Sequence, residues 1–145
     1  EELDQILERH GRWLETNGAS GQQADLRGIY LRGTNFRQSD LRRARLQHAD
    51  LTEARLFEAD LRGALLHRAR LQGADLEGAR LQDANLSYAT FEESIKNDQE
   101  QATGEWLAAN LTDADLYDAD LRDGQLGHVT GLLADKLAGA DLSNA

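Results

Sequence analysis

The sequence predicts an all-β solenoid whose N-terminal end is covered by an α-helix, and three observations lead to this fold class. A five-residue phrase repeats fourteen times without a gap from Ala24 to Glu93, with a small first residue and Leu or Phe third. Opposite charges recur twenty residues apart within that run. The segment before the run has apolar residues at helical spacing instead.

The N-terminal segment, residues 1–23, is predicted to be a capping helix and a linker. Apolar residues recur at helical spacing over residues 2–16, and Asn17 and Gly18 follow as a stop signal. This stripe would cover the first coil, where backbone groups and core otherwise meet water. A dimer helix or a membrane-surface helix is the alternative, but the acidic side chains oppose an anionic bilayer. The stripe consists of Leu3, Ile6, Leu7, Trp13 and Leu14, and the acids are Glu1, Glu2, Asp4, Glu8 and Glu15.

The uninterrupted run, residues 24–93, can be neither a straight helix nor a flat strand. Five is a multiple of neither 3.6 nor 2, so either structure would scatter the leucines over several faces. If each repeat instead forms one side of a polygonal coil, its first and third residues point inward and the other three face water. Stacked coils then cover one another's apolar faces, which makes the run a solenoid.

Four sides would make a coil of twenty residues, and charge spacing supports that number. Residues twenty apart would be stacked neighbours about 4.8 Å apart. Opposite charges in such positions favour one register, although each exposed pair stabilises by only about 0 to 1 kcal/mol. Asp40 under Asp60 runs against the pattern. The opposite-sign pairs are Asp25 and Arg45, Asp50 and Arg70, Arg55 and Asp75, and Asp60 and Arg80.

Tandem phrases such as Ala49-Asp50-Leu51-Thr52-Glu53 and Ala74-Asp75-Leu76-Glu77-Gly78 resemble the pentapeptide repeat family, and the match covers most of the chain. The resemblance implies a right-handed quadrilateral β-helix. The handedness and the square cross-section come from the resemblance alone, because the spacing gives only a polygonal stack.

After Glu93 the phrase fails, and residues 94–108 are polar and aperiodic. Phe91 and Leu111 are twenty residues apart, so an irregular coil in frame would place Trp106 where a central Leu belongs. The alternative is a loop that leaves the wall and returns on the same side, and loops carry binding more often than walls do. A third interpretation is that Ile95, Trp106 and Leu107 only pack against the neighbouring coil.

Residues 109–145 resume the phrase as C-terminal coils. Leu126 and Leu132 are six residues apart, which predicts a one-residue slip at a turn or small bulge, before Leu137 and Leu142 return to fivefold spacing. The segment ends within the pattern, so we expect it to be part of a longer bacterial protein. The family resemblance implies a further region after the solenoid in some members, sometimes a membrane region.

Composition indicates a soluble domain. The chain has 145 residues, a formal net charge of −10 and no cysteine, so disulfides and thiolate metal sites are excluded. No apolar run approaches the roughly 18 residues of a membrane span, and no signal or transit sequence is visible. We expect a cytoplasmic location and no membrane contact from this segment.

Enzymatic chemistry finds no support in the sequence, and we expect no catalytic residue, cofactor or metal. The histidines have no cysteine, metal-spaced partner or serine motif nearby, and we interpret all four as solvated surface residues. Glycines recur at the fifth repeat position, where they ease corners, instead of forming a phosphate loop. The histidines are His10, His48, His67 and His128, and the glycines are Gly28, Gly33, Gly63, Gly73 and Gly78.

Charge is distributed unevenly along the chain. Residues 24–45 carry a balance of plus four and residues 92–123 a balance of minus eight. We therefore expect binding to another protein through the acidic half or the interruption, and no direct nucleic-acid binding, because no aromatic interleaving or recognition helix accompanies the basic end. The candidate interaction residues are Glu92, Glu93, Asp98, Glu100, Trp106, Asp113 and Asp118.

The alternative function is mimicry of DNA. The family that the chain resembles includes acidic, rod-shaped proteins that protect bacterial topoisomerases such as gyrase by imitating duplex DNA. A solenoid of six coils, roughly 29 Å long, would need on the order of 17 negative charges to match a duplex. The first 23 residues carry a net charge of −3 of the total of −10, so the chain after residue 23 carries a net charge of only −7.

Overall fold

A computed structural model describes residues 2–145, and its architecture is a repeat solenoid with one helix at the N-terminal end. Helix α1 is Leu3–Glu15. Two strands, β1 (Glu92–Lys96) and β2 (Ala102–Ala108), form an antiparallel pair, and a 3-10 helix, Ala134–Lys136, follows near the C-terminal end. Among the described residues, no helix is both long and apolar enough to cross a membrane.

Helix α1 covers the first coil with its apolar stripe, and its bounds differ by one residue at each end from the prediction. Leu3, Ile6 and Leu7 pack against the solenoid core. Asn17 and Gly18 both adopt positive φ, 52° and 88°, and the Gly18 N–H donates to the Trp13 carbonyl at 2.8 Å. This ending satisfies a terminal carbonyl of the helix, as the stop signal predicted.

The interpretation of His10 as a surface residue is wrong, because its side chain is completely buried between α1 and the wall. The Ala24 N–H donates to His10 Nδ1 at 3.0 Å, and His10 Nε2 donates to the Arg42 carbonyl at 2.9 Å. Both ring nitrogens are therefore used to fix the helix to two parts of the first coil. The Trp13 ring stacks on His10 with centroids 5.7 Å apart.

Parallel β-bridges join the repeats, and over residues 25–90 the bridged residues lie twenty apart. Every stacking pair named from the sequence is bridged, including Asp40 with Asp60. That like-charged pair shares Arg42, which donates to Asp40 at 2.9 Å and 2.7 Å and lies 3.8 Å from Asp60. The opposite-sign bridges are Asp25 with Arg45, Asp50 with Arg70, Arg55 with Asp75, and Asp60 with Arg80.

The core is built from first and third repeat residues, except that the first-position Ile29 and the third-position Leu142 are about 40% exposed. Leu46, Leu66 and Leu86 expose at most 1% of their surface. The expectation that all remaining positions face water is wrong at some fourth positions, since Thr52 is fully buried and Gln72 is 5% exposed. Thr52 is accommodated because its hydroxyl donates to Asp50 Oδ1 at 2.5 Å, which satisfies a polar group out of water.

From residue 26 to residue 89, each corner is a four-residue turn whose third residue has positive φ, the geometry of a type II turn. In one such turn the Ala49 N–H donates to the Leu46 carbonyl at 3.1 Å, while His48 has φ 62°. Gly33 fills the same position with φ 66°, as expected for fifth-position glycines. An Asp or Asn in second position adds a local bond, as where Asp60 Oδ1 accepts the Arg62 N–H at 3.3 Å.

Two changes of spacing interrupt the bridges. Asp75 pairs with Asn110, thirty-five residues later, because the β1–β2 hairpin adds fifteen residues. Asn110 pairs with Thr130 at the normal spacing, whereas Asp120 pairs with Asp141 at twenty-one. The predicted one-residue slip therefore occurs after Thr130, in the segment that contains the 3-10 helix.

Candidate interaction surface

The β1–β2 hairpin replaces one corner turn of the solenoid. Glu92 pairs with Ala108 and Ser94 with Trp106, and the register shifts between Ser94 and Lys96. The segment after residue 93 is thus a loop that leaves the wall and returns to it, rather than an irregular coil. A hairpin of this kind displays side chains away from the regular wall.

The tip of the hairpin is closed by Asn97. Its side-chain oxygen accepts the N–H groups of Gln99 at 2.9 Å and Gln101 at 3.0 Å, and its backbone N–H donates to the Gln101 carbonyl at 2.9 Å. Glu100 adopts φ 60° in this turn. Asp98 and Glu100 are exposed at the tip, so these candidates are displayed on an ordered turn.

One face of the hairpin contacts the later coil at His128. The Trp106 ring stacks on the His128 ring with centroids 3.7 Å apart and planes 12° apart. Glu92 Oε2 accepts the His128 backbone N–H and lies 3.1 Å from His128 Nδ1. The Glu92 carboxylate and the Trp106 ring therefore both bind His128, which fixes this face of the hairpin to the later coil.

The other face of the hairpin contacts an earlier coil. Glu93 Oε2 lies 3.9 Å from Arg70 Nη2. Leu107 packs so closely on Gly73 that a Cβ atom at position 73 would lie 2.5 Å from Leu107 Cδ1. The hairpin base is thus gripped between coils that precede and follow its own.

The structure corrects the placement of Trp106. It does not occupy a central Leu position, because the hairpin carries it out of the solenoid, and it remains 42% exposed on β2. Leu107 packs on Gly73 and one face of Trp106 stacks on His128, as the packing interpretation expected, whereas Ile95 is 37% exposed. The hairpin therefore presents two apolar side chains to solvent.

The structure does not join all seven candidates. Five lie on the hairpin, whereas Asp113 and Asp118 are exposed at corner turns of the following repeats, with φ 56° and 54°. Within residues 2–145, no hydrogen bond, ion pair or ring contact connects these two turns to the hairpin.

Acids on the wall differ from acids on the hairpin in their partners. Where a repeat contains Asp-Leu-Arg, the Arg guanidinium donates two hydrogen bonds to the carboxylate of the Asp two residues before it. Arg27 binds Asp25 in this way at 2.8 Å and 2.7 Å. Hydrogen bonding to Arg27 lowers the pKa of Asp25 to about 2. Asp98 and Glu105 of the hairpin have no ion-pair partner within the described chain. Asp98 and Glu105 are therefore available to another molecule. The other three hairpin acids have partners, Glu92 with His128, Glu93 with Arg70 and Glu100 with Lys96.

Two cavities lie near the N-terminal end, and each is lined by charged side chains that already have partners. One, of about 260 Å³, is lined by Arg9, Gln23 and Asp25 among others. Asp25, held ionised by Arg27, is a poor proton donor or acceptor near neutral pH. The second, of about 330 Å³, includes Arg42 and Arg62, whose guanidinium groups bind Asp40 and Asp60. Among residues 2–145 no group of three His, Cys, Asp or Glu side chains could hold a metal ion.

His128, Arg70 and Gly73 were missed by the sequence analysis, although they hold the hairpin base. Their contacts depend on a segment that has no fixed spacing to them, since Glu92 and His128 are thirty-six residues apart. The glycine offered a partial signal, because a fifth-position Gly beside the interruption leaves room for a close side chain.

The family model for pentapeptide repeats matches the chain in eight copies over residues 22–56 and 58–95. The chain belongs to the pentapeptide-repeat family. The match ends inside β1, so most of the hairpin lies outside the repeats that define this pentapeptide-repeat chain. No curated protein sequence matches it significantly.

Solved pentapeptide-repeat proteins resemble the chain. Rfr23 from the cyanobacterium Cyanothece 51142 is 23% identical with a TM-score of 0.50, over 81% of this chain and 82% of Rfr23, which supports a solenoid fold. HetL from Nostoc sp. strain PCC 7120, involved in heterocyst differentiation regulation, is 32% identical over 86% of this chain, with a TM-score of 0.44. The chain spans 57% of the length of HetL. Alr5209 from Nostoc PCC 7120 is 28% identical over 97% of this chain and 95% of alr5209, with a TM-score of 0.49.

Proposed function

We propose that this pentapeptide-repeat chain is a rigid, non-enzymatic scaffold that binds another protein through its β1–β2 hairpin. The observation that carries the proposal is the combination of a base held on both faces and a tip exposed to water. His128 holds one face, and Arg70 and Gly73 hold the other. A binding element that is already ordered loses less conformational entropy when its partner arrives.

We also propose the finer geometry of the scaffold, a right-handed quadrilateral β-helix with twenty residues per coil. Over residues 25–90, bridges between residues twenty apart and positive φ at every fifth residue from 28 to 88 support four corners per coil. A rod of this kind has flat walls, which suit a scaffold better than an enzyme.

The exposed side chains of the hairpin define the surface that the partner would contact. Trp106 and Ile95 supply apolar area, and Asp98, Glu100 and Glu105 supply negative charge. Aromatic residues surrounded by polar residues are typical of the side chains that dominate protein interfaces.

Site-specific photo-crosslinking tests the proposal. A photoreactive amino acid at position 98 would lie on the hairpin tip, and the same group at position 27 would lie on the wall of the first coil. In cells that make the natural protein we expect one cross-linked protein from position 98 and none of that mass from position 27. The same adduct from both positions, or from neither, would refute binding through the hairpin.

Charge substitution supplies a second test. Asp98→Asn with Glu100→Gln should reduce capture of the partner identified by cross-linking. Glu15→Gln with Asp83→Asn removes two exposed acids elsewhere and serves as the matched control. Equal losses in the two double variants would show that the effect comes from total charge and not from the hairpin.

Mimicry of DNA toward a topoisomerase is the weaker alternative. Carboxylates on the wall are neutralised at close range by arginines, as for Asp40 with Arg42 and Asp120 with Arg122, both 2.7 Å apart. A duplex presents about one unpaired charge per 1.7 Å of axis. Inhibition of gyrase supercoiling by the purified chain would favour mimicry, and no effect at high protein excess would remove it.

A further inference from the structure

The hydrogen-bond pattern of the hairpin shows which backbone groups face outward. The Ala109 N–H donates to the Phe91 carbonyl at 2.8 Å, and Glu92 pairs with Ala108 in the next position. In antiparallel pairs, residues that exchange hydrogen bonds alternate with residues whose N–H and C=O groups point away from the partner strand. The pair of Ser94 and Trp106 is therefore of the second kind, and Trp106 directs its backbone polar groups away from β1.

The tip gives the same result for the other end of β2. The Asn97 N–H donates to the Gln101 carbonyl at 2.9 Å, which makes the next pair, Lys96 with Ala102, another pair without mutual hydrogen bonds. Ala102 and Trp106 thus both turn their N–H and C=O groups to the outer edge of β2. Residues 102–106 are all exposed, and no other described segment bonds to the backbone of that edge.

An exposed strand edge is a template for another strand. The edge of β2 lacks the Lys and Pro residues that commonly prevent pairing, but it contains a bulge. The register shifts between Ser94 and Lys96, and Gly104 adopts φ 87° between Ala102 and Trp106, so an added strand would pair at Ala102 and Trp106 on either side of this bulge. Its charge selects among partners, because residues 92–108 carry five carboxylates against Lys96, a balance of minus four. Trp106 and Ile95 add exposed apolar surface beside the same strands.

We propose that the outer edge of β2 binds an extended basic segment of a partner protein as a third strand, with apolar residues alternating with Lys or Arg. This inference rests on the proposed function, since it names the kind of partner that the hairpin takes. Backbone bonds to Ala102 and Trp106 fix the register, and Asp98 and Glu105 attract the basic side chains.

The probe is a synthetic eight-residue peptide of alternating Lys and Val, titrated into the ¹⁵N-labelled chain. Binding should protect the Ala102 and Trp106 amides from hydrogen exchange and leave the Leu107 amide, which faces β1, unchanged. Two further peptides carry backbone N-methyl groups on alternate residues, one peptide at the odd-numbered positions and the other at the even-numbered positions. Because only one set of N–H groups faces β2, one N-methylated peptide should lose about tenfold in affinity and the other should keep it.

Variants separate edge pairing from charge attraction. Asp98→Asn with Glu105→Gln should weaken the Lys-Val peptide by about tenfold, whereas Glu15→Gln with Asp83→Asn should leave its affinity unchanged. Equal affinity of both N-methylated peptides would overturn strand addition. Absence of peptide binding would also overturn it, while a position-98 cross-link would still support the proposed function. Without a position-98 cross-link the proposed function itself fails.

Discussion

Ala109 donates its backbone N–H to the Phe91 carbonyl at 2.8 Å, which is the bond that Ala49 makes to Leu46 at 3.1 Å in an ordinary corner turn. Two residues separate donor and acceptor in the ordinary turn, and seventeen separate them here. The hairpin therefore begins and ends at positions that a normal corner would also occupy. It is an insertion that leaves the geometry of the wall intact.

The first prediction is that the hairpin can be removed without unfolding the solenoid. Replacement of residues 92–108 by Glu-Gly would restore a two-residue corner between Phe91 and Ala109. We expect a cooperative thermal transition with a melting temperature within about 5 °C of the parent, because the lost contacts at His128 and Gly73 are few. Loss of the cooperative transition would show that the hairpin is part of the solenoid core. Circular dichroism on heating provides the measurement.

The second prediction concerns the buried leucine column. Leu61 is fully buried, so Leu61→Asp places an unpaired carboxylate among leucines and alanines. We expect the free energy of unfolding to fall by more than about 4 kcal/mol, enough to abolish the folded state at 37 °C. Leu61→Ala should cost about 2 to 5 kcal/mol and remain folded at low temperature.

The matched control for Leu61 is its neighbour Arg62. Its side chain lies on the outer surface and donates to Asp60 at 2.8 Å and 2.6 Å. Arg62→Ala removes a partly exposed ion pair and should cost at most about 1 kcal/mol. A urea midpoint for Leu61→Asp equal to that of Arg62→Ala would contradict the buried column.

The third prediction isolates the backbone at a corner. Gly33 has φ 66°, and nothing lies within 4 Å of a Cβ atom built there. Gly33→Val should therefore destabilise by about 1 to 3 kcal/mol through backbone strain alone. Gly33→Asn should cost less, because Asn tolerates this conformation and Gln38 already adopts it with φ 57°. Equal melting temperatures for the two variants would rule out strain as the cause.

The regular wall was predictable because its information is local and repeated. Asp25 and Arg45, or Asp60 and Arg80, are paired by a spacing that many repeats specify together. The hairpin was not predictable, because the fifteen residues that it adds equal three repeats of five residues. An irregular coil and a hairpin therefore both keep the fivefold spacing of the repeats. The number of residues between Phe91 and Leu111 could not distinguish them.

The burial of His10 was predictable from the sequence, but its hydrogen-bond partners were not. Ile6, His10 and Trp13 are spaced four and three residues apart, so position 10 belongs to the apolar stripe of α1. That spacing was the available signal for burial. The identity of its partners was not available, because the Arg42 carbonyl comes from a corner thirty-two residues away.

The fourth prediction is that the helix cap loosens as the pH falls through the titration range of His10. Nδ1 accepts the Ala24 N–H, so the folded state requires a neutral ring, and burial lowers the pKa of His10 below its ordinary value of 6.5. The unfolded chain then binds the proton more readily, and stability present above about pH 6.5 is lost as the pH drops further. His10→Gln should be less stable at neutral pH by about 1 to 3 kcal/mol but lose less on acidification to pH ~5, whereas His48→Gln, at an exposed position, should follow the parent. Melting temperatures across this pH range measure the difference. If His10→Gln declines as steeply as the parent, the acid sensitivity comes from other groups.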